Sequence, residues 1–227
     1  MPDIWTSNLL LHELSALVAG LFLLTAFGLI ATRQVLACLR TFVLQSLFLA
    51  LSAFVLGYLN ASASLLAVGA ITVVVKIVLI PWLLLKTLGD ELRARREISQ
   101  VLNIPTSLLI ALAIVVFSYF VSVRILAVAP KGASAMNLPI GMAGLLLGAY
   151  AMTVRREAVP QIIAILSMEN GAFFAGIAIA PHLPLIAELS GAFDVLIITR
   201  VMGVLVMKVH ERVGTTAVGD LVTLREE

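Results

Sequence analysis

The chain has 227 residues, 61% of them hydrophobic and 12% charged, with a net charge of +2 at pH 7. A soluble domain carries about a quarter of its residues as charges. Half that supply, with a mean hydropathy of +1.11, means that lipid rather than water covers most of the exterior. The basic residues are dispersed between apolar runs with no stripe of interleaved aromatics, which excludes a nucleic-acid-binding surface. Cys38 stands alone, which excludes a disulfide framework and a cysteine-held metal or cluster within the chain.

Seven apolar segments approach or exceed the roughly 20 residues that a spanning helix needs: 10–32, 35–59, 65–88, 104–123, 138–154, 158–180 and 183–209. The first lacks the basic flank of a cleavable signal and is too long for one, so it is expected to be retained as a span. The second carries Gln45 and the third carries Lys76, five residues before Pro81. Proline has no N–H to offer the carbonyl of Ile77, so a kink is expected beside the lysine. The interval 86–100, KTLGDELRARREISQ, is the one substantial charge run.

The fourth segment ends at Arg124, placed to snorkel to an interface, and 129–137 is a short linker. In the fifth, Gly144 and Gly148 form a small-xxx-small pair suited to close helix contact. The sixth opens with Pro160 in its first turn, where proline is tolerated, and carries Glu169-Asn170-Gly171 near its middle. The seventh carries Asp194 and Arg200. The expected organisation is one all-α transmembrane domain over 1–210, with a tail over 211–227.

Basic residues set the orientation. Arg33, Lys86, Arg93, Arg95, Arg96, Arg155, Arg156, Lys208 and Arg212 fall on one side of a seven-span arrangement, and little beyond Arg124 and Lys131 falls on the other. The N-terminus is therefore expected outside and the C-terminus in the cytoplasm. A weak repeat at an offset of 124 residues superposes Ala19-Gly20-Leu21 on Ala143-Gly144-Leu145, Gln45 on Glu169 and Lys76 on Arg200. It makes 1–88 and 138–209 two parallel three-helix units, with 104–123 as the connecting helix.

Lys76, Glu169, Asp194 and Arg200 lie deep inside apolar runs. A charge at the bilayer centre costs at least about 2.5–3.5 kcal/mol, so four cost on the order of 10 kcal/mol. They are expected to face the bundle interior, where a buried acid beside a buried base can exchange a proton. The alternatives are a carboxyl that only cements packing at Glu169, a snorkelling lysine at Lys76 and a static ion pair at Arg200. Asp194 and Arg200 are six residues apart, about 120° around the helix and about 9 Å along it, so each addresses a different neighbour. His12, His182 and His210 are too scattered for a metal site, and no nucleophile with an adjacent base, phosphate loop or nucleotide fingerprint is found. No catalytic site is expected on this chain.

From the fifth segment onward, GLLLG at Gly144, TVRRE at Thr153 and ILSMENGA at Ile165 resemble the small K-type subunit of respiratory complex I. The matching C-type subunit of multi-subunit cation/proton antiporters is similar. The whole chain resembles the E component of hydrogenase-4 and the related formate hydrogenlyase membrane subunits. That likeness covers both halves, through Lys76 with Leu79-Ile80-Pro81, Ser167-Met-Glu169-Asn-Gly171, Asp194 and the tail segment Gly219-Asp-Leu-Val-Thr-Leu224. The chain departs from the K-type pattern in its last helix, where Asp194 and Arg200 stand and a second buried glutamate does not.

The resemblance implies a non-catalytic subunit in the membrane arm of a group 4 nickel–iron (NiFe) hydrogenase. Its partners would be large antiporter-like membrane subunits, a quinone-site-like anchor subunit and hydrogenase arm subunits. Iron–sulfur clusters and the NiFe site would lie in those partners, with no cofactor on this chain. Glu169, Lys76, Asp194 and Arg200 would contribute to a proton or Na⁺ path, supported by Asn170, Pro81 and Gln45. The alternative is a subunit of a cation/proton antiporter or ion-coupled transporter without a redox arm. Either would sit in a bacterial or archaeal cytoplasmic membrane.

Overall fold

The computed structural model describes residues 3–86, 98, 100–127, 137–179 and 204, with backbone alone for 3–9. Those residues form α1 (Asp3–Ala31), α2 (Val35–Leu59), α3 (Ala63–Lys86), α4 (Ile104–Leu126), α5 (Leu138–Val154) and α6 (Ala158–Ile179). No strand occurs among them, only an isolated bridge between Gln100 and Arg155. Five helices are long and apolar enough to cross a membrane. The sixth, α5, is an apolar helix of 17 residues, about 25 Å long against a hydrocarbon core of about 30 Å. The chain is an all-helical membrane protein. The predicted seventh span, 183–209, lies outside the described residues.

Helix ends follow local chemistry. Asn60 ends α2, its side-chain amide donating to Leu56 O at 2.8 Å. Ala61 then takes a left-handed conformation at φ 48°, which lets Ser62 N donate back to Gly57 O at 2.9 Å. That reversal satisfies carbonyls which would otherwise be stranded at the helix terminus. Pro105 and Pro139 sit in the first turns of α4 and α5, where no intrahelical donor is needed.

Helices in lipid gain nothing from hiding apolar surface from one another, so close backbone contact has to hold them together. α5 and α6 pack most extensively. Gly141 lies against the backbone of Ala175, Gly148 against that of Met168, and Gly171 against that of Gly144 and Leu145. The contacts run in opposite directions along the two sequences, so the pair is antiparallel. Phe22 of α1 fills the space beside Gly144 and stacks on Phe174 of α6, with ring centroids 4.4 Å apart.

Long-range polar contacts fix the remaining directions. Asn137, at the start of α5, donates to Ser15 of α1, and Arg155, just past its end, donates to Leu29 O. α1 and α5 therefore run parallel, as do α2 and α6, joined through Gln45, Ser46 and Asn170. The sequence separations of these contacts are 122, 126, 125 and 124 residues. The first two helices of one predicted three-helix unit thus lie beside the first two of the other, in nearly the register of the 124-residue offset.

α4 is inverted relative to a soluble amphipathic helix. Its inward stripe is Ser107, Ala111, Ser118 and Ser122, while Leu109, Leu112, Phe117 and Phe120 face outward. Hydroxyls inside and large apolar groups outside is the arrangement lipid requires. At the face where α1 joins α2, Arg155 is buried: its guanidinium donates to Cys38 Sγ (2.6 Å), to Pro160 O (3.4 Å) and to Leu29 O. Ile98 N donates to Arg33 O, Gln100 Nε2 to Ile30 O and Val101 N to Val154 O, so this stretch straps the ends of α1 and α5.

The glycine contacts set a stability test. A methyl at Gly171 would enter the backbone of α5, and one at Gly148 the backbone of α6, whereas Gly20 and Gly176 have nothing within 4 Å of an added Cβ. Gly171→Ala and Gly148→Ala should each lower unfolding stability in detergent by about 1–3 kcal/mol or more. Gly20→Ala and Gly176→Ala should leave it unchanged within about 0.5 kcal/mol, or raise it by up to about 1 kcal/mol.

Candidate functional site

Lys76 and Glu169, predicted separately from their depth in two apolar segments, face each other. Lys76 Nζ lies 3.4 Å from Glu169 Oε1. The same ammonium stands 4.2 Å from the centroid of the Phe173 ring, one turn along α6 from Glu169. An ammonium over an aromatic face is attracted by the ring quadrupole, most strongly where water is excluded. The Lys76 side chain is 1% exposed and that of Glu169 is 19% exposed, so the acid is the accessible member of the pair.

The helix around Lys76 is unusual. Val73–Leu79 winds as a π-helix inside α3, with Ile80 N donating to Val75 O, five residues back. Pro81 follows at once and has no N–H with which to continue an α-helical ladder. The expected disturbance at Pro81 therefore takes the form of a widened turn upstream of it. Such turns occur mainly as short insertions in α-helices, often at functional sites.

On the adjoining side of α6, Asn170 meets α2. Its Nδ2 donates to Ser46 Oγ at 2.9 Å and lies 3.5 Å from Gln45 Oε1. Ser46 passes its own hydrogen to Phe42 O at 3.0 Å. Gln45, Ser46 and Asn170 are each exposed by 1% or less. Neighbouring residues of one helix, Glu169 and Asn170, thus point to α3 and α2 respectively. Gln45, Lys76, Glu169 and Asn170 all fall near the middle of their helices, forming one polar layer inside an apolar bundle.

The magnitudes show what the pair can do. At 3.4 Å two unit charges attract by about 5 kcal/mol at an effective dielectric constant of about 20. Bringing each charge to mid-depth costs at least about 2.5–3.5 kcal/mol. Gain and cost are nearly equal, so the pair adds little net stability.

Of the predicted residues, the structure brings together Lys76 with Glu169 and Gln45 with Asn170, and it places Pro81 at the end of the widened turn. Asp194 and Arg200 lie outside the described residues. Ser46 and Phe173 were not predicted. Neutral partners leave no trace in a search for misplaced charge, although Phe173 falls four residues after Glu169, the spacing that aligns side chains on one helix face. Arg155 was read as a loop cation, and nothing in its neighbours signals burial.

No protein-family model matches the chain. It is similar to a protein of Mycobacterium tuberculosis (strain ATCC 25618 / H37Rv) described as "Uncharacterized protein Rv0085", with 28% identity over 208 residues, covering 92% of this chain and 94% of the relative. No solved structure matches.

The ion pair makes a double-mutant cycle informative. Lys76→Met alone removes the ammonium that faces Glu169 and should cost about 3–5 kcal/mol. Adding Glu169→Gln should recover part of that loss, giving a coupling energy of about 0.5–3 kcal/mol in denaturant titrations of the purified protein. Strict additivity would show that the 3.4 Å contact carries no interaction.

Proposed function

We propose that this chain is a non-catalytic membrane subunit of a group 4 nickel–iron hydrogenase, a complex I-like energy-conserving assembly. Within it, the chain contributes buried charges to a proton path. The observation that carries this reading is the Lys76–Glu169 pair, held at mid-depth with Lys76 in a π-helical turn. A pair that adds little net stability at such a depth has a reason to exist if protons use it. The likeness of the whole chain to the hydrogenase-4 E component supplies the kind of assembly.

In this mechanism Glu169, the accessible member, takes a proton from one side of the path. With its carboxylate neutralised, Glu169 attracts the Lys76 ammonium less strongly, and Lys76 releases its proton onward. Reprotonation of Lys76 by Glu169 resets the pair. Asp194 and Arg200, on the seventh span over 183–209, continue the path, with Arg200 as a fixed charge because a guanidinium does not give up its proton. The basic loops put the N-terminus outside and the C-terminus in the cytoplasm.

The two three-helix units are proposed to be parallel repeats. The parallel packing of α1 with α5 and of α2 with α6, at separations near 124 residues, supports this. Redox chemistry, iron–sulfur clusters and the NiFe site belong to partner subunits. The neighbours in the membrane are large antiporter-like subunits and a quinone-site-like anchor.

Glu169→Gln in the assembled complex, reconstituted in vesicles with a pH-sensitive dye, should reduce proton translocation by about 100-fold or more while the redox arm stays assembled. Undiminished translocation would end the relay reading. Purification of the native complex tests the assembly. Co-purifying iron, nickel and hydrogenase subunits are expected, and a complex of membrane proteins alone would point instead to a cation/proton antiporter.

A further inference from the structure

The amides of Gln45 and Asn170 do not complete each other. One contact joins them, from Asn170 Nδ2 to Gln45 Oε1, and Asn170 Nδ2 also serves Ser46. Gln45 Nε2 and Asn170 Oδ1, one donor and one acceptor, are buried and have no hydrogen-bond partner among the described residues. The two residues are 1% and 0% exposed. Exchanging nitrogen and oxygen in both amides does not help. It would join Gln45 Nε2 to Asn170 Oδ1 but leave Gln45 Oε1 and Asn170 Nδ2 without partners. Either assignment strands one donor and one acceptor.

Buried amide atoms are nearly always hydrogen-bonded, and leaving them unmet costs more than an ordinary hydrogen bond gains. What satisfies a stranded donor and a stranded acceptor together is a molecule that is both. Ser167, one turn before Asn170 on α6, is a further buried polar group of this helix. Its hydroxyl is fully buried and has no partner among the described residues. The hydroxyls of Thr41, Ser46 and Ser118 donate to the carbonyl four residues back, while those of Ser52, Ser107 and Ser122 are, like that of Ser167, buried without a partner among the described residues.

We infer that the seam between α2 and α6 holds bound water at mid-depth, on Gln45, Asn170 and the hydroxyl of Ser167. A water there has the two to four polar partners that ordered internal waters need. It lies on the side of α6 adjoining the Lys76–Glu169 pair and belongs to the N-terminal unit as much as to the C-terminal one. The inference does not depend on the proton-path reading. A water-filled seam beside a Glu169 that carries no protons, or a dry seam beside one that does, are both distinguishable results.

The test is magnetisation transfer from water to side-chain amides, measured by solid-state NMR on the full chain in lipid bilayers. With the chain uniformly labelled by ¹⁵N, only four glutamines contribute side-chain amide signals, at positions 34, 45, 100 and 161. Gln45→Leu identifies the signal of interest by its loss. If that variant does not fold, backbone correlations in the unsubstituted chain identify it. Strong transfer to the Gln45 and Asn170 amides is expected, approaching that of the exposed Asn60 and well above that of the fully buried backbone amide of Ala53. Asn170→Leu, which removes the acceptor, should weaken transfer to Gln45. Transfer to both amides as low as that to Ala53 overturns the inference.

Discussion

Backbone and side-chain polar groups inside lipid must find their partners within the protein, because no water waits outside to take them. A lysine and a glutamate at mid-depth are the severest instance. Lys76 comes from α3 and Glu169 from α6, helices of different predicted units, so their meeting fixes which face each helix turns inward. The small residues of α5 and α6 then decide how closely the helices approach. Gly141, Gly148 and Gly171 remove the side chains that would hold the two backbones apart, and α6 is thereby seated where its two faces reach α2 and α3.

The helical architecture was largely legible because the bilayer imposes a length on any apolar run. Two helices, 35–59 and 138–154, have the predicted bounds, since polar residues or proline sit directly at their ends. Buried charge was legible for the same reason, as Lys76 and Glu169 stand out against everything around them. What could not be read was orientation. A helix that is apolar on every side gives no periodic signal, so nothing along α2 said that Gln45 and Ser46 face α6. Arg155 escaped notice because a cation in a connecting segment is ordinarily solvated, and only the fold reveals Leu29 O, Pro160 O and Cys38 around it.

Two polar levels divide the bundle. At mid-depth, charge and amide groups from α2, α3 and α6 share one layer. At the face where α1 joins α2, Arg155 and the stretch around Ile98 and Gln100 tie helix ends together. The planar fork of the guanidinium suits the lower level, since it reaches acceptors on several elements at once and keeps its charge. The lysine of the other level sets its ammonium against Glu169 and over the Phe173 ring. The two cations divide the tasks of holding the helices and serving the polar layer according to what each head group can do.

The widened turn in α3 has a consequence for how the chain length is used. A turn that closes on the fifth residue rather than the fourth holds one residue more than an α-helix does. Above and below it, Leu66, Trp82 and Leu85 face outward toward lipid, and Val74 and Val78 do so within it. The surplus residue lets both flanks keep that outward phase while Lys76, between them, is turned in. A chain one residue shorter within Val73–Leu79 would have to choose. It could offer its ammonium to Glu169 only by rotating one of its greasy ends into the protein.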